Sequence, residues 1–222
     1  MTTIDDHLNA GPAYVAVDGI SIAVEVVGNG TASGPVIAWI HGLGSSSTQA
    51  FAQIARHPAL AGTTSLLIDL AGHGASDKPT GWSYTVEDHA RVVNQLLAKI
   101  VGQPVTLLGH SMGGTIAIAS AVSFPGAVER LIVAEPSLDT GFGPLSAHIA
   151  SQSEERFVER GYAVLVRATE RQAARGDVAA QAFLPALRQA SPAALHRSAT
   201  SLRETRVPSY QRHWQTSRCQ RP

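Results

Sequence analysis

The run Val105-Thr106-Leu107-Leu108-Gly109-His110-Ser111-Met112-Gly113-Gly114 constrains this chain more than any other stretch. An apolar strand feeds Gly-x-Ser-x-Gly, and the small-residue helix Thr115-Ile116-Ala117-Ile118-Ala119 follows. That is the sequence form of a nucleophile elbow. In so tight a junction the serine takes strained backbone angles, and only small residues at 109 and 113 let strand and helix approach. The strain displays the Ser111 hydroxyl at the carboxyl end of a sheet. The first amides of the next helix then point at whatever it attacks. A bare Gly-x-Ser-x-Gly arises often by chance; one framed by strand and helix does so far less.

The rest of the chain is read against that junction. With 222 residues, 44% of them apolar and only 15% charged, it can bury a real core and does not read as disordered. Lys+Arg and Asp+Glu balance at 17 each, so no electrostatic footprint points to nucleic acid or an anionic membrane. Met1-Thr2-Thr3-Ile4-Asp5-Asp6 lacks the basic-then-apolar order of a signal peptide, and no apolar run is long enough to span a bilayer. Cys219 is the single cysteine, and no cluster of metal ligands stands out. A soluble cytoplasmic protein without structural metal or cofactor is expected.

Ala13 to Val17, the turn Asp18-Gly19 and Ile20 to Val27 predict an opening hairpin. Pro35 to Ile40, Ser65 to Leu70, Val105 to Leu108 and Leu131 to Ala134 predict strands, the first nearly all apolar as in a strand covered on both faces. Between them, Val86 to Val101 opens at Thr85 with Glu87 and Asp88 in its first turn. Its apolar positions Val92, Val93, Leu96, Leu97 and Ile100 recur at helical spacing. Strands alternating with helices mean a mostly parallel α/β sheet with ligand sites beyond the strands' carboxyl ends. From about Ser137 the alternation stops. Residues 146 to 205 predict amphipathic helices broken near Gly161, Gly176, Pro185 and Pro192, as a helical cap or as a helical end to the main domain.

Two further turns follow strands. His41-Gly42-Leu43-Gly44 would aim backbone amides at the elbow. An acyl-transfer oxyanion needs two preorganised donors, and the amides of Leu43 and Met112 are the expected pair. An ordinary Gly-rich loop is the plainer alternative. Asp69-Leu70-Ala71-Gly72-His73-Gly74-Ala75-Ser76 reads as a tight structural turn at the base of the site, without a direct catalytic role for His73. His110 reads as a packing residue pointing away from the face on which Ser111 stands.

His41-Gly42, the Asp69-to-Ser76 turn and Gly109-His110-Ser111-Met112-Gly113-Gly114, in this order and spacing, resemble the α/β-hydrolase superfamily over roughly residues 13 to 205. The resemblance implies a mostly parallel sheet flanked by helices, with a helical cap. It also implies hydrolysis of an ester, thioester or similar small acyl substrate through an acyl-Ser111, without cofactor. Relatives with an aspartate nucleophile, haloalkane dehalogenases and epoxide hydrolases, are disfavoured by Ser111. The implied triad runs serine, acid, histidine in chain order. A serine needs an adjacent imidazole to take its proton, and that imidazole needs a carboxylate to orient it. Glu135, after the strand ending at Ala134, is the first candidate acid and Asp139 the second; an apical carboxylate that only lines the pocket is the alternative for Glu135.

The pattern breaks at the base. After Ser111 only His148, His196 and His213 remain, and the first two fall among Ala and Ser residues in the helical region. His213 lies at the right end of the chain but outside any Gly-His turn, so it enters as the remaining candidate base. Residues 203 to 222 carry five arginines against one acid, and the family's last two strands and final helix are expected to be missing. A shifted frame or cut gene near residue 203 is one explanation, a natural basic tail the other. The expected organisation is a core over 1–136, a helical cap over 137–202 and an aberrant tail over 203–222. The alternative to a serine hydrolase is a non-catalytic ligand-binding homologue or a product without function.

Overall fold

The structure, a computed structural model, describes residues 12–28, 34–138 and 143–204. Near-continuous apolar strands need cover on both faces, and their arrangement supplies it. Six strands, β1 (Ala13–Val17), β2 (Ile20–Val27), β3 (Val36–Ile40), β4 (Thr64–Ile68), β5 (Val105–His110) and β6 (Val128–Ala134), form one sheet in the order β1-β2-β4-β3-β5-β6. β1 and β2 make the expected hairpin, with Asp18 at φ 50° and Gly19 at φ 78°, the two left-handed residues a two-residue turn of this hand requires. β2 pairs antiparallel with β4, while β4, β3, β5 and β6 run parallel.

One face is covered by α1 (Ser47–Ala55), whose Phe51 and Ala55 pack on Val27, Trp39 and Leu67. The other carries α2 (Val86–Ile100) and α3 (Met112–Ser123). α2 starts where the sequence places it because Thr85 caps it, its hydroxyl oxygen accepting the Asp88 N–H at 3.1 Å. Val92, Val93, Leu96, Leu97 and Ile100 are all buried, as their spacing predicts.

β6 begins at Val128, three residues before the apolar run suggests. Glu129 and Arg130 masked its start, and they are tolerated because β6 is the sheet edge among the described residues. Ile132 and Val133 are correspondingly 48% and 37% exposed. Unpaired apolar edges of this kind invite pairing with other strands.

Beyond β6 the described chain is helical: α4 (Pro144–Ala150), α5 (Glu154–Arg156), a π turn (Phe157–Gly161), α6 (Tyr162–Ala174), α7 (Val178–Gln189) and α8 (Pro192–Glu204). Gly176, at φ 88°, separates α6 from α7, and Pro192 opens α8, as predicted. Gly161 and Pro185 do not break their helices. Gly161 instead admits close packing, since a Cβ there would stand 2.6 Å from Gln152 Oε1 and 2.7 Å from Phe157 Cδ2. Pro185 sits inside α7, and both it and Gln181, whose carbonyl it leaves without its usual donor, are exposed to water.

These helices share one core with the sheet. Ile149, Phe157, Leu187, Leu195, Ala199 and Leu202 belong to the same buried cluster as Ile22, Ile40 and Leu66. Polar ties reinforce it: Ser191 N–H donates to Gly72 O at 2.8 Å, and Val86 N–H donates to the Ser201 hydroxyl at 3.0 Å. Arg197 is the densest tie. Its Nε and Nη2 donate to the Glu154 carboxylate, and its Nη1 donates to the carbonyls of Thr80 and Trp82, both at 2.7 Å. That guanidinium holds the Glu154 carboxyl below the usual carboxylate range. Arg197→Ala is expected to cost about 1–3 kcal/mol by orphaning those acceptors and to expose the Thr80–Tyr84 segment to protease. Chemical denaturation with limited proteolysis checks this; an unchanged midpoint and cleavage pattern would contradict it.

Candidate active site

β5 ends at His110, and Ser111 follows at φ 52°, ψ −122° before α3 begins at Met112. For a serine this is strained backbone, held by its surroundings. The Ser111 N–H donates to Ala134 O at 2.8 Å, fixing the elbow to the end of β6. The glycines act as the sequence predicts. A Cβ on Gly109 would overlap the Gly113 carbonyl, and one on Gly113 would overlap the Ile40 carbonyl and stand 2.6 Å from His41 O. Backbone therefore lies against backbone at both positions, which is how α3 reaches the loop after β3.

That loop faces the elbow. A Cβ on Gly42 would stand 3.3 Å from Ser111 Cβ. Gly42 O accepts the Ser45 N–H at 3.2 Å, so Leu43 occupies the middle of a closed turn, and Leu43 is buried. Met112, also buried, is the first residue of α3, where an N–H lacks a partner within the helix. The two residues the sequence pairs as oxyanion donors are thus brought to adjoining backbone segments. Gly44, at φ 73°, carries α7 on its back: a Cβ there would lie 2.9 Å from Phe183 Cζ and 3.4 Å from Leu187 Cδ1.

His41 is buried and has a defined tautomer. Leu70 N–H donates to its Nε2 at 3.0 Å, so Nδ1 carries the proton and donates to Gly42 O at 2.8 Å. Burial pushes its pKa down to about 4, against a smaller upward pull from the Gly42 bond. It is a neutral strut between two loops. The turn after β4 is equally structural. Asp69 accepts the N–H groups of Ser47 at 2.8 Å and Ala75 at 2.9 Å, and burial raises its pKa despite both bonds. Ser76 donates to Asp69 O at 2.6 Å and accepts the Ala23 N–H at 2.8 Å. His73 is buried with its ring 5.2 Å from that of His41, and burial foremost, with His41 adding to it, pushes its pKa down to about 3.

The acid candidate lies beside the elbow. In the β5–β6 register His110 pairs with Ala134, so Ser111 and Glu135 are the next residues on neighbouring strands. Both turn sharply there, at φ 52° and 51°. Glu135 Oε2 lies 3.6 Å from His110 Nε2, and the two side chains are 87% and 45% exposed. His110 is thus half-exposed rather than packed in the core, and its Nδ1 stands 3.4 Å from where a Gly42 Cβ would lie. His148 lies exposed on α4, and His196 on α8 is engaged, its Nε2 2.8 Å from Gln152 O. Both occupy the helical region as predicted. Asp139 and His213 lie outside the described residues, as does the chain beyond residue 204.

Three neighbours of the site were not legible locally. Phe183 and Leu187 reach the Gly42–Gly44 turn only through tertiary packing, and nothing in their own segment distinguishes them from other helix residues. Tyr84, at φ 57° and buried, gives no sequence sign of its strained backbone; its hydroxyl donates to Pro79 O at 2.8 Å. Among the described residues no group of His, Cys, Asp and Glu could hold a metal ion, and no helix is long and apolar enough to cross a membrane.

Comparison with known proteins agrees with this geometry. The sequence model of a family described as alpha/beta hydrolase fold matches residues 35–215. An uncharacterised protein of Mycobacterium tuberculosis is 40% identical over 104 residues, which span 46% of this chain and 29% of that protein. Lipase 1 of Psychrobacter immobilis is 36% identical over 104 residues, 46% of this chain and 32% of the lipase. The matched stretch is thus about a third or less of either relative's length. Among solved structures, an esterase from Exiguobacterium antarcticum superposes with a TM-score of 0.69 at 24% identity, covering 94% of this chain and 76% of the esterase.

Proposed function

The chain belongs to the α/β-hydrolase fold family, and from that premise we propose that it is a serine hydrolase acting on an ester, thioester or similar acyl compound through an acyl-Ser111 intermediate. The observation that carries this reading is the left-handed Ser111 at the β5–α3 junction, set against the Gly42 turn. Strain of this kind in a non-glycine residue persists where surrounding structure over-determines it, which is typical of a displayed nucleophile. The amides of Leu43 and Met112 would hold the developing oxyanion, at a cost in preorganisation already met by folding. Glu135 would act as the acid, a role supported by the β5–β6 register, in which His110 pairs with Ala134 and Ser111 and Glu135 follow. The lipase and esterase named among the similar proteins act, by those names, on acyl esters, which fits the same chemistry.

A second reading, a ligand-binding homologue without turnover, is favoured by one observation. The Glu135 side chain is 87% exposed, whereas a triad carboxylate acts best when buried against its imidazole. A fluorophosphonate probe separates the two. Covalent labelling that disappears in Ser111→Ala is the expected result. Absence of labelling, with saturable calorimetric binding of a short-chain acyl ester, would instead establish the binding protein.

A further inference from the structure

We propose that β6 is the docking edge for a second copy of this chain: two copies join edge to edge, antiparallel about a twofold axis at Leu131, and one sheet runs through both. Among the described residues β6 is hydrogen-bonded to β5 alone. Ile132 pairs there with Leu108 and Ala134 with His110, and Ala134 O accepts the Ser111 N–H at 2.8 Å. Backbone groups of successive strand residues point to opposite edges. Ile132 and Ala134 therefore spend theirs on β5, while Leu131 and Val133 turn theirs outward. The strand is also uncovered. Ile132 and Val133 are 48% and 37% exposed, and Phe124 before the strand and Leu138 after it are 47% and 37% exposed.

The edge complements itself in one register. A twofold that lays an edge on its own copy makes the two strands antiparallel. With Leu131 on the axis, the outward-turned backbone of Leu131 meets that of Leu131 in the second copy. Arg130 then stands opposite Ile132 of the second copy, and Glu129 stands level with Val133. The Arg130 stem lies along that isoleucine and leaves its charge in water. Moving the axis back one residue sets Arg130 against Arg130, and moving it forward one residue sets Glu129 against Glu135. Like charges directly opposite are destabilising, so both neighbouring registers are disfavoured. The antiparallel run also carries the exposed Phe124 end of one copy to the exposed Leu138 end of the other.

The opposite edge of the sheet is built differently. At β1, Lys99 Nζ donates to Ala16 O at 2.9 Å, and a lysine on an edge strand guards it against pairing. A contact of β6 with β1 of another copy would also leave an edge free at each end and propagate without closing. Pairing β6 with itself consumes the unguarded edge and closes at two copies. A strand edge with its flanking side chains makes a small interface, so the dimer is expected to dissociate on dilution.

Sedimentation velocity and backbone hydrogen exchange on the full chain, followed over a wide range of concentration, test this. A monomer is expected when dilute and a species of twice its mass when concentrated. The Leu131 and Val133 amides should gain protection as the dimer forms, while those of Ile132 and Ala134 are protected throughout. Ile132→Lys, which faces Arg130 of the second copy, is expected to weaken the dimer about tenfold. Ile132→Glu should retain or tighten it, whereas mere loss of an apolar patch would weaken both variants alike. Circular dichroism establishes that each variant is folded. A chain that is monomeric at every concentration overturns the inference, whether the Leu131 and Val133 amides exchange freely or are covered throughout by another segment of the same chain. Open-ended aggregation, or a dimer that does not distinguish lysine from glutamate at position 132, overturns it as well.

Discussion

Gly113→Ala is expected to abolish accumulation of folded protein, or to cost more than about 4 kcal/mol where it folds. The added methyl would overlap the Ile40 carbonyl and press on His41 O at 2.6 Å, and neither obstacle is the movable end of a side chain. Relief requires α3 to withdraw from the end of β3, which would also move Met112 and the Gly42 turn apart. Typical domains hold only about 5–15 kcal/mol in total, so the loss is large. Gly126→Ala is the matched control, because nothing lies within 4 Å of its added carbon. Denaturation midpoints of the two variants measure the difference. Equal stability would show that the elbow is looser than its backbone contacts imply.

Acid is expected to unfold the protein well above the range where carboxylates titrate. Among the described residues three imidazoles are fully buried: His41, pushed down to about 4; His73, pushed down to about 3; and His89, held well below its ordinary value by burial, with His73 and His41 adding to it. His89 nonetheless has a fixed partner. Ser198 gives its proton to Tyr84 O at 3.1 Å, so its oxygen accepts from His89 Nε2 at 3.3 Å. All three pKa values are lower folded than unfolded, so below about pH 6.5 the unfolded chain binds protons that the folded chain refuses. Stability is then flat above about pH 7 and falls as pH drops from about 6.5 toward the folded values. The rate approaches about 1.4 kcal/mol per pH unit for a single group of this kind. Asp69 works against this trend, since its raised pKa makes the folded state the better proton acceptor, but it is one group against three. Melting temperatures measured from pH 8 to pH 4.5 check the expectation. A midpoint unchanged down to pH 5 would mean that these rings are hydrated or charged in the folded protein.

The alternation of apolar strands with an amphipathic helix, the Asp18-Gly19 turn and the Gly109–Gly113 junction are local facts, written in periodicity and in residues with special backbone freedom. The fold class, the hairpin, the start of α2 and the place of Ser111 could be read from them because short-range sterics and capping decide each one. β6 shows the limit: its first residues are charged, and only a sheet edge makes Glu129 and Arg130 acceptable in a strand. Pro185 shows another, since a helix-breaking residue is tolerated on an exposed stretch of α7. The surroundings of the serine depended on register between β5 and β6, which sets Glu135 level with Ser111 and the half-exposed His110 ring 3.6 Å from the Glu135 carboxylate. Phe183 and Arg197 reached their places only when distant helices docked on the sheet's carboxyl end. Sequence alone determined where the chain must bend and which residue the bend displays. Tertiary structure decided what surrounds that residue, because contacts between segments far apart in the chain leave no periodic trace in either one.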